Sequence, residues 1–154
     1  MAKTISEILK PFMISLDIKA TLQEEAVREV ALMLKDQASV TDFEGFYNDL
    51  LTRERQESTC FGHEVAFPHA RTDNVKDMVI SVGRSRHGVP FVKAHECVKL
   101  IFVIGTPKRM VTEYLATVGA LARLLKEDAV RQKLISAKSQ DEFFFHLTES
   151  QGKL

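Results

Sequence analysis

The residues best suited to chemistry cluster between positions 53 and 69. In STCFGHEVAFPH (58–69) a histidine directly follows a proline at the end of an apolar run. Val65-Ala66-Phe67 has the β-branched and aromatic character of a short strand. Pro68 lacks an N–H, so it ends or edges that strand, and it biases Phe67 toward extended geometry. His69 is thus presented at a strand terminus by a stiff backbone. An imidazole there can be a nucleophile, a base or a metal ligand, or merely a polar cap. Arg53, at the close of LLTRE, is either a cation facing a helix C-terminal dipole or a fork for phosphate oxygens. Between them, Ser58, Thr59 and Gly62 can form a loop whose hydroxyls and N–H groups bind an anion. Cys60, His63 and His69 invite a zinc reading, but their spacing matches no strong ligand pattern and a fourth ligand is not evident. A Cys60–His69 nucleophilic pair needs a geometry that spacing does not supply.

Composition limits what such a cluster can serve. The chain has 154 residues, enough for one compact domain with a real core; we expect it over 1–150, with 151–154 as a tail. Lys plus Arg and Asp plus Glu number 21 each. The balanced charge gives no global attraction to nucleic acid or to an anionic membrane, so neither is expected as a partner. Any anion must be recognised by a local site. Cys60 and Cys97 are too few for a disulfide framework, which favours a reducing compartment. Lys3, Glu7, Lys10 and Pro11 interrupt the N-terminal segment, which lacks the apolar core of a signal peptide. No apolar stretch is long enough to span a bilayer. The expectation is a cytoplasmic, soluble protein.

The elements that must position the cluster are read from periodicity. Three hydroxyl–glutamate pairs, Thr21…Glu24, Thr41…Glu44 and Ser139…Glu142, have capping-box spacing and predict helix starts. After the first, Leu22, Ala26, Val27, Val30, Ala31 and Leu34 recur with helical spacing; after the second, Phe43, Phe46, Tyr47, Leu50 and Leu51 do. The stretch 77–85 alternates, predicting a strand with one less buried face, whereas 97–105 is almost wholly apolar and predicts a central strand. Beyond Pro107, Val111, Leu115, Val118, Ala122 and Leu125 mark another helical face, and shorter helices are expected near 128–136 and 140–148. His87 and His95 fall in expected loops and His146 in the last helix, all three as structural or solvated residues. Helices, then strands, then helices predict an α/β fold: a single mixed β-sheet flanked by helices on both faces.

Taken in order, LLTRE, then ST-x-x-G-x-x-V-A-F-P-H, then VKLIFVIGTP and TEYLATVGALARLL, resemble the type IIA domains of the bacterial sugar phosphotransferase system. The branch is the fructose–mannitol one, which includes nitrogen-regulatory members, and the resemblance covers nearly the whole chain. It implies a phosphocarrier in which His69 takes a phosphoryl group from the carrier protein HPr and passes it to a IIB domain, or uses it as a regulatory signal. Arg53 would neutralise phosphoryl oxygens, with Ser58, Thr59, Gly62 and nearby N–H groups cradling them; no metal or cofactor is implied. The chain departs from the family pattern at three places. Tyr114 stands where a second histidine is common, and it can donate a hydrogen bond but not a positive charge; it is equally readable as a core aromatic. Glu64 replaces one glycine of a pair, at a place where positive φ is expected, and Cys60 replaces a residue that is often small. Glu113 adds a negative charge beside Tyr114. His63 could compensate by donating to the phosphoryl group. The alternative is a non-transferring regulatory or binding module that keeps the fold with a degenerate site.

Overall fold

The almost wholly apolar run at 97–105 is the middle of the sheet. In the computed structural model, which describes residues 4–151, it forms most of β6 (Glu96–Thr106), whose residues from Leu100 to Thr106 are all buried. On one side β6 pairs antiparallel with β5 (Val79–Phe91) along nearly its whole length. On the other it pairs in parallel with β3 (Val65–Ala66) and then β4 (His69–Arg71). β1 (Ile14–Ser15) lies parallel against β5, and β2 (Cys60–Gly62) antiparallel against β3. The order is therefore β1-β5-β6-β3-β2 with β4 also on β6, a mixed open sheet.

Helices cover both faces, as the sequence predicts. α2 (Gln23–Leu32) and α3 (Phe43–Gln56) lie on one side. There the Ser81 hydroxyl donates to the Val30 carbonyl at 2.8 Å, and Gly105 makes room for the Phe46 ring, 2.7 Å from where a Cβ would stand. α4 (Val111–Leu125), α5 (Asp128–Ser136) and α6 (Gln140–Gln151) follow β6, and the short α1 (Ile5–Ile8) precedes β1. Arg84, next along β5 from Gly83, reaches the opposite face and binds the carbonyls of Leu134, Ile135 and Ala137 at the end of α5. The sheet is thus buried on both sides, which is why its long strands hold so few exposed residues.

Several local expectations are corrected. β5 is longer than 77–85 and takes in His87, which lies on an exposed part of the strand rather than in a loop. Its 79–85 stretch has no less buried face: Ser81 and Gly83 admit α2, and Arg84 is buried by its own carbonyl partners. The core face of α4 is Tyr114, Thr117, Leu121, Leu124 and Leu125, and Leu115 is 61% exposed. The helix is apolar around more than half its circumference, so spacing alone did not fix the stripe. Thr21 does not cap α2, which starts after Leu22 without a side-chain cap. Asp42, not Thr41, caps α3, accepting from the Gly45 N–H at 3.0 Å, while the Thr41 hydroxyl donates to the Asn74 carbonyl. Ser139 does accept from the Glu142 N–H at 3.0 Å, but the Glu142 carboxylate reaches back to the Lys138 N–H. Of the expected tail, Gln151 closes α6 and 152–154 lie outside the described residues.

Candidate functional site

β3 and β4 are one strand interrupted at a single point. Val65 is opposite Leu100 and His69 opposite Ile104, so the register on β6 is unchanged across Phe67-Pro68. Pro68 offers no N–H to the ladder, yet its carbonyl still accepts from the Ile104 N–H at 2.9 Å. The Phe67 N–H is turned the other way, donating to the Thr59 carbonyl at 3.0 Å. The Phe67 carbonyl is left to receive His69: it lies 2.9 Å from Nδ1. A carbonyl can only accept, so Nδ1 carries the ring proton and Nε2 keeps its lone pair. Burial pushes the His69 pKa below the ordinary histidine value, with the nearby Arg53 charge acting in the same direction against the Phe67 hydrogen bond. A half-buried, neutral imidazole with a defined tautomer is the result.

His69 lines an open depression of about 470 Å³ at the edge of the sheet, between the C-terminal end of α3 and the start of α4. Arg53 and Tyr114, both singled out from sequence, line it too. Arg53 sits in the last turn of α3, where its Nη1 donates to the Glu57 carbonyl at 2.7 Å, so the helix end both uses and anchors the guanidinium. Tyr114 is buried with its ring centroid 5.4 Å from that of His69, and its hydroxyl takes no hydrogen-bond partner among the described residues. Burial raises the Tyr114 pKa, opposed by Arg53 and Arg71, so the phenol is a neutral donor at physiological pH.

Two further cations in the depression, Arg71 and Lys108, were not anticipated. Arg71 lies two residues after His69 on β4, and alternation along a strand puts both on the same face; that was the available signal. Lys108, in the turn after Pro107, gives none. Asp49 also lines the wall, but its carboxylate receives the Thr72 hydroxyl at 2.6 Å and the Asn74 amide at 3.0 Å, tying α3 to the chain after β4.

The small residues of 58–63 are not brought to this depression. Thr59 is buried, and its N–H and hydroxyl both go to the Glu54 carboxylate. Ser58 accepts from the Cys60 N–H at 3.2 Å. Gly62 (φ +90°), His63 (φ +55°) and Glu64 (φ +67°) form the tight turn between β2 and β3. His63 packs near the Phe61 ring, and Glu64 is turned to Lys99 at 3.4 Å. Glu113 does not line the depression. Among the described residues no three His, Cys, Asp or Glu side chains group as metal ligands, and no helix is long and apolar enough to cross a membrane.

The chain matches the family described as phosphoenolpyruvate-dependent sugar phosphotransferase system, EIIA 2, over residues 7–150, and it belongs to that family. The fructose-specific EIIA component of Haloferax volcanii is 31% identical over 137 residues, 88% of this chain and 89% of that protein. The fructose-specific EIIABC component of Bacillus subtilis is 30% identical over 89% of this chain, which spans only 22% of that longer protein. The crystal structure of nitrogen regulatory protein IIA-Ntr from Neisseria meningitidis matches with a TM-score of 0.85 at 29% identity, covering 93% of this chain and 98% of that one. Both the sugar-specific and the nitrogen-regulatory branches are thus represented among its relatives.

Proposed function

We propose that the chain is a phosphocarrier that accepts a phosphoryl group on His69 Nε2 from a phosphohistidine of an HPr-type protein. It then delivers the group to a IIB domain or holds it as a regulatory signal. The observation that carries this reading is the bond from His69 Nδ1 to the Phe67 carbonyl at 2.9 Å, which leaves Nε2 as the nucleophilic nitrogen in a depression also lined by Arg53, Arg71 and Lys108. In the transfer the donor P–N bond breaks as the bond to Nε2 forms. The electron pair returns to the donor ring, which carries a proton on its other nitrogen and so leaves as a neutral imidazole, and the Nδ1 proton of His69 stays in its bond to Phe67. No general base is needed, so the work is positioning and charge neutralisation. Arg53, Arg71 and Lys108 supply the charge, and Tyr114 supplies a neutral hydrogen bond where family members commonly hold a second histidine. Ser58, Thr59, Gly62 and His63 belong to the loop that supports the strand and do not line the depression.

The direct test incubates the chain with phosphoenolpyruvate, enzyme I and HPr, and follows acid-labile phosphate by intact mass. Label on the wild type, absent from His69→Ala and slowed in Arg53→Ala, is expected; an unlabelled wild type with cognate HPr would overturn the reading. A regulatory use of the phosphorylated state is favoured by the likeness to nitrogen regulatory protein IIA-Ntr, and phosphorylation would place a phosphoryl dianion on this surface, a net change of about one negative charge while Nδ1 keeps its proton. The degenerate-module reading loses part of its basis, because Glu64 is turned to Lys99 and two additional cations line the depression.

A further inference from the structure

A second cavity, of about 510 Å³, opens where β5 and β6 meet the C-terminal end of α5. Arg84, Arg86, Lys99 and Lys138 line it together with Ser85 and Ser136, and no carboxylate does. In a chain with no net charge, four cations around one hollow are a local concentration rather than a reflection of composition.

Arg84 is what makes this a built site. It is only 7% exposed, and a buried guanidinium without a counter-charge is costly. Its Nε donates to the Leu16 carbonyl at 3.0 Å and its Nη1 to the carbonyls of Leu134, Ile135 and Ala137 at 2.8–3.0 Å. These bonds fix the plane of the fork but neutralise nothing, and Nη2 takes no partner among the described residues. The nearby carboxylates are engaged elsewhere: Asp17 is 3.7 Å from Arg86 and Glu64 3.4 Å from Lys99, both on solvated side chains where ion pairs are weak, and Glu142 accepts from the Lys138 N–H at 3.0 Å. Asp17 and Glu142 act on Arg84 only through space. The Ser85 hydroxyl accepts from the Gly88 N–H, which leaves its own proton to donate.

We propose that this cavity is a second anion site, taking a phosphate monoester or another small phosphate-bearing molecule, independently of His69. With Asp17 and Glu64 set against two of the four cations, the cavity keeps an excess of positive charge that suits a dianion better than a monocarboxylate. Donors come from two strands and from the segment joining α5 to α6, so a bound dianion would be held from three directions, with Arg84 pre-positioned at its base. The volume is that of a small-ligand cleft. The site lies apart from His69: Arg84 is opposite Leu100, whereas His69 is opposite Ile104 on the other edge of β6, roughly 13 Å further along that strand.

The test is titration of the isotope-labelled 154-residue chain with inorganic phosphate, followed by amide shifts at constant ionic strength, with acetate as the monovalent control. Saturable shifts at Arg84, Ser85, Ser136 and Lys138 are expected, absent with acetate. The Arg86→Ala/Lys138→Ala pair, both exposed and dispensable for packing, should weaken binding by about tenfold or more. His69→Ala and Arg53→Ala should leave it unchanged. Shifts confined to the surroundings of His69 and Arg71, or affinity unaffected in the double variant, would overturn the proposal, as would the lack of saturation at tens of millimolar phosphate. Vesicles of phosphatidylglycerol in phosphatidylcholine separate the sources of the phosphate: binding to vesicles without any response to soluble phosphate would also overturn it. None of these outcomes depends on whether His69 is phosphorylated.

Discussion

Glu54 holds Thr59 twice, accepting from its N–H at 2.8 Å and from its hydroxyl. The relation extends to the site, because the Thr59 carbonyl receives the Phe67 N–H and the Phe67 carbonyl receives His69 Nδ1. Glu54 sits one residue after Arg53, so the end of α3 sets both the cation and, through three links, the orientation of the imidazole.

Thr59→Val tests that relay. It keeps the shape but removes the hydroxyl bond to a carboxylate, so unfolding free energy should fall by about 1–3 kcal/mol. Nitrogen NMR of the His69 ring should show the Nδ1–H tautomer giving way to a mixture. If Thr59 contacted phosphoryl oxygens directly, the variant would instead lose phosphoryl acceptance with the tautomer unchanged.

The pH dependence follows from burial of His69. Its pKa lies below the ordinary value of about 6.5, so the ring stays neutral and able to attack below the pH at which a free histidine protonates. The rate of phosphoryl acceptance should be flat above about pH 6.5 and fall only at lower pH. The stability sign is also fixed. Between the depressed folded pKa and the unfolded one the unfolded chain binds more protons, so the His69 contribution is present above about pH 6.5 and is lost as pH falls through the folded value. Proton NMR titration of the His69 ring and acid unfolding of His69→Ala against the wild type check the two halves.

Tyr114 is a donor without charge. Tyr114→Phe keeps the ring against His69 and should leave thermal stability close to wild type, while transfer from phospho-HPr slows by roughly tenfold through loss of one hydrogen bond to a charged group. Tyr114→His should instead introduce a rate component that rises as pH falls toward about 6.5, where an added imidazole becomes cationic. Rapid-quench transfer measured across pH distinguishes them.

The turn between β2 and β3 is strained. Glu64 holds φ +67° with a side chain, a conformation that costs about 1–2 kcal/mol for a residue bearing a Cβ. Glu64→Gly relieves this and gives up an exposed ion pair with Lys99 worth little. A net stabilisation of about 0.5–1 kcal/mol is expected in denaturant unfolding.

Much of this architecture could be read from sequence where one physical signal dominated. The almost wholly apolar run at 97–105 reads as a central strand, and from Leu100 onward it is buried on both sides. β5 misled because polarity was taken for exposure: Ser81 and Arg84 are buried with their hydrogen bonds met by backbone groups far away in sequence, and Ser85 is buried with its hydroxyl on the nearby Gly88 N–H. Thr41 lost the capping role to Asp42 because Asn74, a remote residue, took its hydroxyl. At the site, Arg53, His69 and Tyr114 line one depression, a grouping that the family resemblance implied. Ser58, Thr59, Gly62 and His63 were read by adjacency, but the tight turn after Gly62 and the Glu54 carboxylate direct them elsewhere. Lys108 was not legible, since a lysine in a turn looks the same whether or not a histidine lies across from it.

Arg84 has one more consequence, for how the molecule comes apart. Its guanidinium, rooted in β5, donates to carbonyls at the end of α5 and to that of Leu16 after β1. Peeling α5 and α6 away while the sheet stayed folded would give up the bonds from this cation to Leu134, Ile135 and Ala137 together. The C-terminal helices and the sheet are thereby welded into one cooperative unit, and the slowest-exchanging amides of α5 should report the same opening free energy as those of β6.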